Sequence, residues 1–428
     1  MKKRFLIIAA ILVAGFSTSA QEKETPTEFS LNEAVEYAIE YNRTLKTSEM
    51  DVEYKRKQIT QAISQGLPQI NTTLDYSTNF GYEMNFGGNA IKMEDQLAFT
   101  ATASQLLFSG QWIVGVQTAK IARQISELGV EATDLEIRST IHTLYYTILA
   151  YQRMGAILEN NLADMEVIRQ HTENMYAQGV VEVTDVDQIR VTVNQLRNNM
   201  FSVQRNTEVN TNLLKIQMGL PVNSQITLTD NIDNMINSDQ YSSLVTEQFD
   251  INQNINYKQM LSQEKLQEKM VSIEKWSFAP TISARYSYLE KIVEPSFSMS
   301  PSHSGAINLS FPIFSGLSRK SSLEMQKINM DKIRLNREQL EDNLNMQEVQ
   351  YKFNLRNAIE NYQLQKSNLE VSEKVLNNYR NKYDQGVISS LELTQANTNF
   401  LNAQTNYTTA VLTLLNAQIE LQKLHNSL

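Results

Sequence analysis

YDQGVISSLELTQA, running from Tyr383 to Ala396, decides how this chain is read, because a close relative of it, YAQGVVEVTDVDQI, already stands at Tyr176 to Ile189. Each copy places a tyrosine three residues before a glycine, between two long proline-free runs. Glycine adopts φ > 0 without steric cost, which is what a chain needs where one helix ends and reverses into the next. The stretch therefore predicts the tip of a helical hairpin, made twice.

Working outward, other elements repeat in the same order. LPQINTTLDYS (Leu67 to Ser77) matches APTISARYSYL (Ala279 to Leu289), with Pro68 opposite Pro280 at an offset of 212. LLFSG (Leu106 to Gly110) matches PIFSG (Pro312 to Gly316) at an offset of 206, and Gly179 matches Gly386 at 207. Near-constant offsets mean an internal duplication. Each half reads helix, strand, loop, strand, long helix, turn, helix. The first repeat is assigned to residues 21–220 and the second to 244–428, joined by a polar linker over 221–243 that opens with Pro221.

Ile70, Thr72, Leu74 and Tyr76 alternate with Asn71, Thr73, Asp75 and Ser77; Ile282, Ala284, Tyr286 and Tyr288 alternate with Ser283, Arg285 and Ser287. The partner runs, with Leu97, Phe99 and Ala101, and with Ile307, Leu309 and Phe311, do the same. Period-two alternation marks strands with one apolar and one polar face. They are expected over about 67–80 and 95–109 in the first half, and about 279–290 and 303–315 in the second. The Gly/Asn- and Pro/Ser-rich connections between them, near 81–94 and 291–303, suit exposed hairpin loops. Such strands could make a small soluble sandwich. In lipid, four are too few to close a barrel, and an open edge leaves backbone groups unsatisfied at several kcal/mol each. Strands in a membrane would therefore need other copies of the chain to complete the wall.

The runs from Phe108 to Tyr176 and from Phe314 to Tyr383 contain no proline. At about 1.5 Å per residue each makes a helix of roughly 100 Å. Leu144, Tyr151, Leu158 and Met165 recur every seven residues, as do Leu355, Tyr362, Leu369, Leu376 and Tyr383. That period is the mark of helices packed side by side in coiled coils. Shorter helices, about 45–65 with 184–218 and about 257–276 with 391–424, would lie end to end alongside each long one. The fold class is mainly α, with a small β part.

Composition limits what such an object does. Met-Lys-Lys-Arg followed by FLIIAAILVAGF and Ser-Thr-Ser-Ala has the basic, apolar and small-residue regions of a secretory signal, with cleavage expected after Ala20. No cysteine follows it to carry a lipid anchor. Losing Lys2, Lys3 and Arg4 from the 38 basic residues leaves 35 against 47 acidic ones, a net charge of −12. An acidic chain argues against nucleic-acid partners. The absence of cysteine removes disulfides and thiolate chemistry. No later apolar run reaches the roughly 18 residues of a spanning helix, so any membrane span is built from strands.

The order of elements, the FSG after each strand pair and the YxxG turns make the chain resemble the TolC-type outer-membrane efflux proteins. FSLNEAVEYAIEYNRTLK (Phe29 to Lys46) is similar to that family's opening helix, and Tyr383 to Gln404 to its most recognisable stretch. The resemblance implies a homotrimer with a shared 12-stranded β-barrel in the outer membrane of a Gram-negative bacterium, in contact with its lipid. Long coiled-coil hairpins would continue the barrel as a tunnel through the periplasm. A periplasmic adaptor would dock at the tips, around Tyr176, Gly179, Tyr383 and Gly386, and link the duct to an inner-membrane pump. It also implies a gate at the tip, with Tyr383 linked to Asp185, an apolar contact at Ile388 where a well-studied relative has arginine, and Glu392 facing the lumen. Of two acidic positions ringing the narrowest point in that relative, one is Gln395 here.

Asp185 and Glu392 have a plainer role open to them, because both stand in the first turn of a helix, where carboxylates cap; Ser389 to Glu392 has the capping-box spacing. His142, His171, His303 and His425 are scattered without a metal-ligand spacing, and the 16 methionines are dispersed. Asp164/Glu166 and Glu341/Asp342 lie on long helices and read as solvated charge. No nucleotide, hydrolase or metal motif is present, so neither an enzyme nor a cofactor is expected. Three functions stay open: a passive duct for small-molecule efflux, the outer-membrane duct of a type I protein secretion system, and an exported coiled-coil scaffold.

Overall fold

A computed structural model describes residues 27–428 except 88, 93, 237 and 294–299; the expected signal segment, 1–20, lies outside the described residues. The first half begins with β1 (Glu28–Phe29), α1 (Leu31–Tyr41) and α2 (Arg43–Ser64). Next come β2 (Gln69–Ser77), β3 (Glu83–Phe86), β4 (Asn89–Lys92) and β5 (Gln96–Phe108), then α3 (Gly110–Ala177) and α4 (Val183–Gln217). After β6 (Thr227–Leu228) and α5 (Ser238–Thr246), the second half has α6 (Ile255–Trp276), β7 (Thr281–Val293), β8 (His303–Ser310), α7 (Ser318–Asp384) and α8 (Ser390–His425).

The two long helices have 68 and 67 residues, roughly 100 Å each, as the proline-free runs predict. Their seven-residue apolar series is the buried seam: Leu158, Met165, Leu355, Leu376 and Tyr383 are buried, and Leu144, Tyr151, Tyr362 and Leu369 are packed beside them. Three apolar cores lie along these helices. One joins β1, α1 and the middle of α3 to the ends of α4 and α8, a second joins α5, α6, α7 and α8, and a third fills the tip where α3, α4, α7 and α8 meet.

The duplication reaches single hydrogen bonds. Asn42 breaks the opening helix into α1 and α2, caps α2 by accepting from Thr44 N at 2.8 Å and Leu45 N at 3.1 Å, and donates to Gln217 O at 2.7 Å. Its counterpart Asn254 caps α6 through Asn256 N at 3.0 Å and Tyr257 N at 3.3 Å, and donates to Leu424 O at 2.9 Å. In each half one buried amide fastens the shorter helix to the far end of the returning helix.

β2, β5, β7 and β8 form one antiparallel sheet in that order. Directly opposed residues such as Leu74 and Phe99, or Ala284 and Ile307, put the apolar positions of all four strands on one face. β2 and β8 are edges, exposed along their whole length, whereas β5 and β7 are largely half-buried.

Three expectations need correction. β8 stops at Ser310, short of 315, because Pro312 has no N–H to donate to a ladder. The connection near 81–94 holds a short hairpin, β3 with β4. The 221–243 linker is structured: Thr227 and Leu228 pair in parallel with Glu28 and Phe29, and α5 crosses the expected boundary at 243. Tyr145, fully buried, fixes this region, its hydroxyl lying 2.8 Å from Asp230 Oδ2 and 2.9 Å from Phe29 O.

Candidate functional site

The end of the molecule farthest along the helices from the sheet is made by two turns. Gly179 (φ +74°) and Gly386 (φ +70°) take the left-handed conformation, as the sequence predicts. Each turn closes with backbone bonds back to its helix: Gly179 N to Tyr176 O at 2.9 Å and Val180 N to Met175 O at 2.9 Å, matched by Gly386 N to Tyr383 O at 2.8 Å and Val387 N to Lys382 O at 2.9 Å.

The two turn tyrosines are not equivalent. Tyr383 is 4% exposed and Tyr176 49%. Tyr383 points into the apolar tip core, where its hydroxyl meets Thr172 Oγ1 on α3 at 2.8 Å. Burial raises its pKa above the usual phenol value, and the Asp185 charge adds to that rise. Thr172 donates its own proton to Ile168 O at 2.8 Å, which leaves the Tyr383 hydroxyl to donate to Thr172.

The expected Tyr383–Asp185 hydrogen bond is not formed within the chain. Asp185 instead accepts from the Ser390 hydroxyl at the start of α8, and from Glu182 N at 3.2 Å, which closes the cap of its own helix. Thr172 with Tyr383 and Ser390 with Asp185 are thus separate links between the two hairpins, and Thr192 Oγ1 donates to Thr394 Oγ1 at 3.4 Å beside them. Ile388 is half-buried against the same core. Glu392 is exposed and caps α8, accepting from Ser389 N at 2.9 Å and Ser389 Oγ at 3.0 Å; these bonds, the backbone one foremost, hold its pKa below the usual carboxylate range.

A charged link lies farther from the tip, about one turn before the end of α7 and between three and four turns before the end of α3. Arg380 on α7 donates to Asp164 on α3 at 2.5 Å and to the carboxamide oxygen of Asn161, whose Nδ2 in turn donates to Asn397 Oδ1 on α8 at 2.9 Å. Burial lowers the Arg380 pKa and the Asp164 charge opposes that shift. Asp164 remains exposed, as expected of a charge on a long helix, but it is also an ion-pair partner, and Glu166 is paired with Arg169 and Arg197. Thr172, Ser390 and Arg380 were not singled out from sequence. Small hydroxyl residues and a lone arginine on a long helix carry no motif, and only the phase of the packed helices brings them together.

Comparison with known proteins decides the family. The sequence model of the outer membrane efflux proteins matches residues 34–219 and 259–427. The chain belongs to that family. Its fold is shared with the Campylobacter jejuni CmeC outer membrane channel (18% identity, 93% of this chain and 85% of the other, TM-score 0.77). It is shared also with the outer membrane protein VceC of Vibrio cholerae (15% identity, 92% and 96%, TM-score 0.75) and with the open state of the Neisseria gonorrhoeae MtrE outer membrane channel (17% identity, 92% and 88%, TM-score 0.75). Among curated protein sequences, none matches the chain. As a member of the outer membrane efflux family it is a channel component and not an enzyme. Among the described residues no helix is long and apolar enough to cross a membrane, and no cluster of three potential metal ligands occurs.

Proposed function

We propose that three copies of this chain form a passive outer-membrane duct, the channel-tunnel component of a tripartite export system that carries small molecules to the exterior. The observation that carries this reading is the four-stranded sheet: one face apolar on every strand, and two edges exposed along their full length. An open edge in lipid costs several kcal/mol per unpaired group, and copies supplying strands to one another remove that cost. Three copies give 12 strands, within the range of membrane barrels.

The helical hairpins continue the duct into the periplasm. At their tips Tyr176, Val180, Val183, Val387 and Leu391 are exposed apolar residues, an end surface suited to a periplasmic adaptor that couples the duct to an inner-membrane pump. The links Thr172–Tyr383, Ser390–Asp185 and Arg380–Asp164 hold each protomer's hairpins together there, with Ile388 packed behind them and Glu392 exposed; we assign this clasp as the periplasmic gate.

Membrane fractionation tests the reading. A heat-modifiable trimer in the outer-membrane fraction, released only by detergent, supports a duct. A species released by salt, with two copies or one, refutes it in favour of a scaffold.

A further inference from the structure

The chain contains its own template for the seam between copies. Shifting β2 by 212 and β5 by 206, the offsets between Pro68 and Pro280 and between Phe108 and Phe314, converts one hairpin into the other. The pair Leu74↔Phe99 becomes Tyr286↔Gly305, and Thr73↔Thr100 becomes Arg285↔Ala306; the structure makes both of these pairs. The two offsets therefore reproduce the register of a hairpin they were not taken from.

The same shifts act on the junction between the halves. β5 pairs with β7 through Ala103↔Tyr286, Ala101↔Tyr288 and Gln105↔Ala284. Carrying β5 forward by 206 gives β8, and carrying β7 back by 212 gives β2. We infer that β8 of one copy pairs antiparallel with β2 of the next in the register Leu309↔Leu74, Ile307↔Tyr76 and Phe311↔Thr72. The partner is a second copy of this chain, and the inference rests on the barrel proposed above.

Two further observations agree with this register. Slipping it by one residue would turn one strand's apolar set onto the other's polar face. The inferred pairs instead place Leu309, Ile307 and Phe311 on the face that Leu74 and Tyr76 share, all of them large apolar residues that the lone chain leaves exposed. Phe108, the last residue of β5, sits edge-on to Trp276 at a ring distance of 6.2 Å, while its counterpart Phe314 is 83% exposed. Trp276 shifted back by 212 falls on Ser64, at the end of α2, so the seam sets Phe314 against that end of the neighbouring copy.

Parity leaves two rival registers, displaced by two residues in either direction, which oppose Leu309 to Thr72 or to Tyr76. Disulfide trapping separates them, and the chain's lack of cysteine gives a clean background. Within one copy β2 and β8 lie at opposite edges, three strand spacings or about 14 Å apart, beyond the reach of a disulfide, so any cross-link joins two copies. The full-length protein carrying L74C and L309C, oxidised in membranes, is expected to run as covalent dimers and trimers that reduction returns to monomer. The pairs T72C/L309C and Y76C/L309C should cross-link several-fold less. Single-cysteine variants with the wild-type heat-modifiable mobility control for folding. Stronger cross-linking by either slipped pair in an intact trimer overturns the register and leaves the duct standing. Failure of all three pairs in a protein extracted as a monomer overturns both.

Discussion

Tyr383→Phe removes one oxygen from the tip and nothing from its shape. The lost hydroxyl meets Thr172 at 2.8 Å in a buried site, but Thr172 keeps Ile168 O, also at 2.8 Å, as a partner. No buried donor is orphaned, so the cost is that of an ordinary hydrogen bond, about 1 kcal/mol, and not the larger penalty of an unsatisfied group. If the bond exists only in the closed clasp and three copies open together, the loss is about 3 kcal/mol, which multiplies the open-to-closed ratio by roughly a hundredfold. Ser390→Ala acts likewise on Asp185, which retains Glu182 N at 3.2 Å. Planar-bilayer recording of purified protein should show a raised open fraction for each variant and a larger one for the pair. Asp185→Ala should also raise passive leakage. Open fraction and conductance unchanged in all of them, with the trimer intact, would refute the gate assignment.

Other substitutions test the scaffold. Asn42→Ala and Asn254→Ala each remove a buried cap and strand the carbonyl it bonds across the repeat; each should lower stability by about 2–3 kcal/mol, read as a fall in thermal midpoint. Gly386→Ala meets open space and should cost only the left-handed backbone penalty, roughly 1–2 kcal/mol. Gly219→Ala, at φ +78°, would bring its Cβ within 2.5 Å of Tyr41 O and should be markedly worse in the same denaturation assay. Burial, then the nearby Arg138 charge, push the His142 pKa down to about 4 from 6.5. The folded state favours the neutral ring, so this contribution is complete above about pH 6.5 and is lost as pH falls toward 4, at most about 3 kcal/mol per chain. His142→Gln should flatten the acid side of the stability–pH curve; an unchanged curve would contradict the assignment.

What was legible in the sequence is what repeats. Period-two strands, proline-free helices, heptad residues and the turn glycines each carry their signal locally, and their ends fall within a few residues of the expected ones. β1 and β6 were not legible, because two-residue strands have no period and exist only through each other. The split of the opening helix at Asn42 depends on a carbonyl 175 residues away. The tip shows the same limit. Sequence identified Tyr383 and Asp185 as members of the tip but not their partners, since which residues oppose each other across packed helices depends on the phase of the supercoil. It also could not tell that Tyr383 is buried while its twin Tyr176 is exposed.

Amide hydrogen exchange on the detergent-extracted protein addresses the missing edge partners most directly. Residues 69–77 and 303–310 should exchange as slowly as the inner strands 96–108 and 281–293, because neighbouring copies hold their outward amides. Slow exchange confined to the inner strands, with both outer ones exchanging fast, would contradict a closed wall shared between copies.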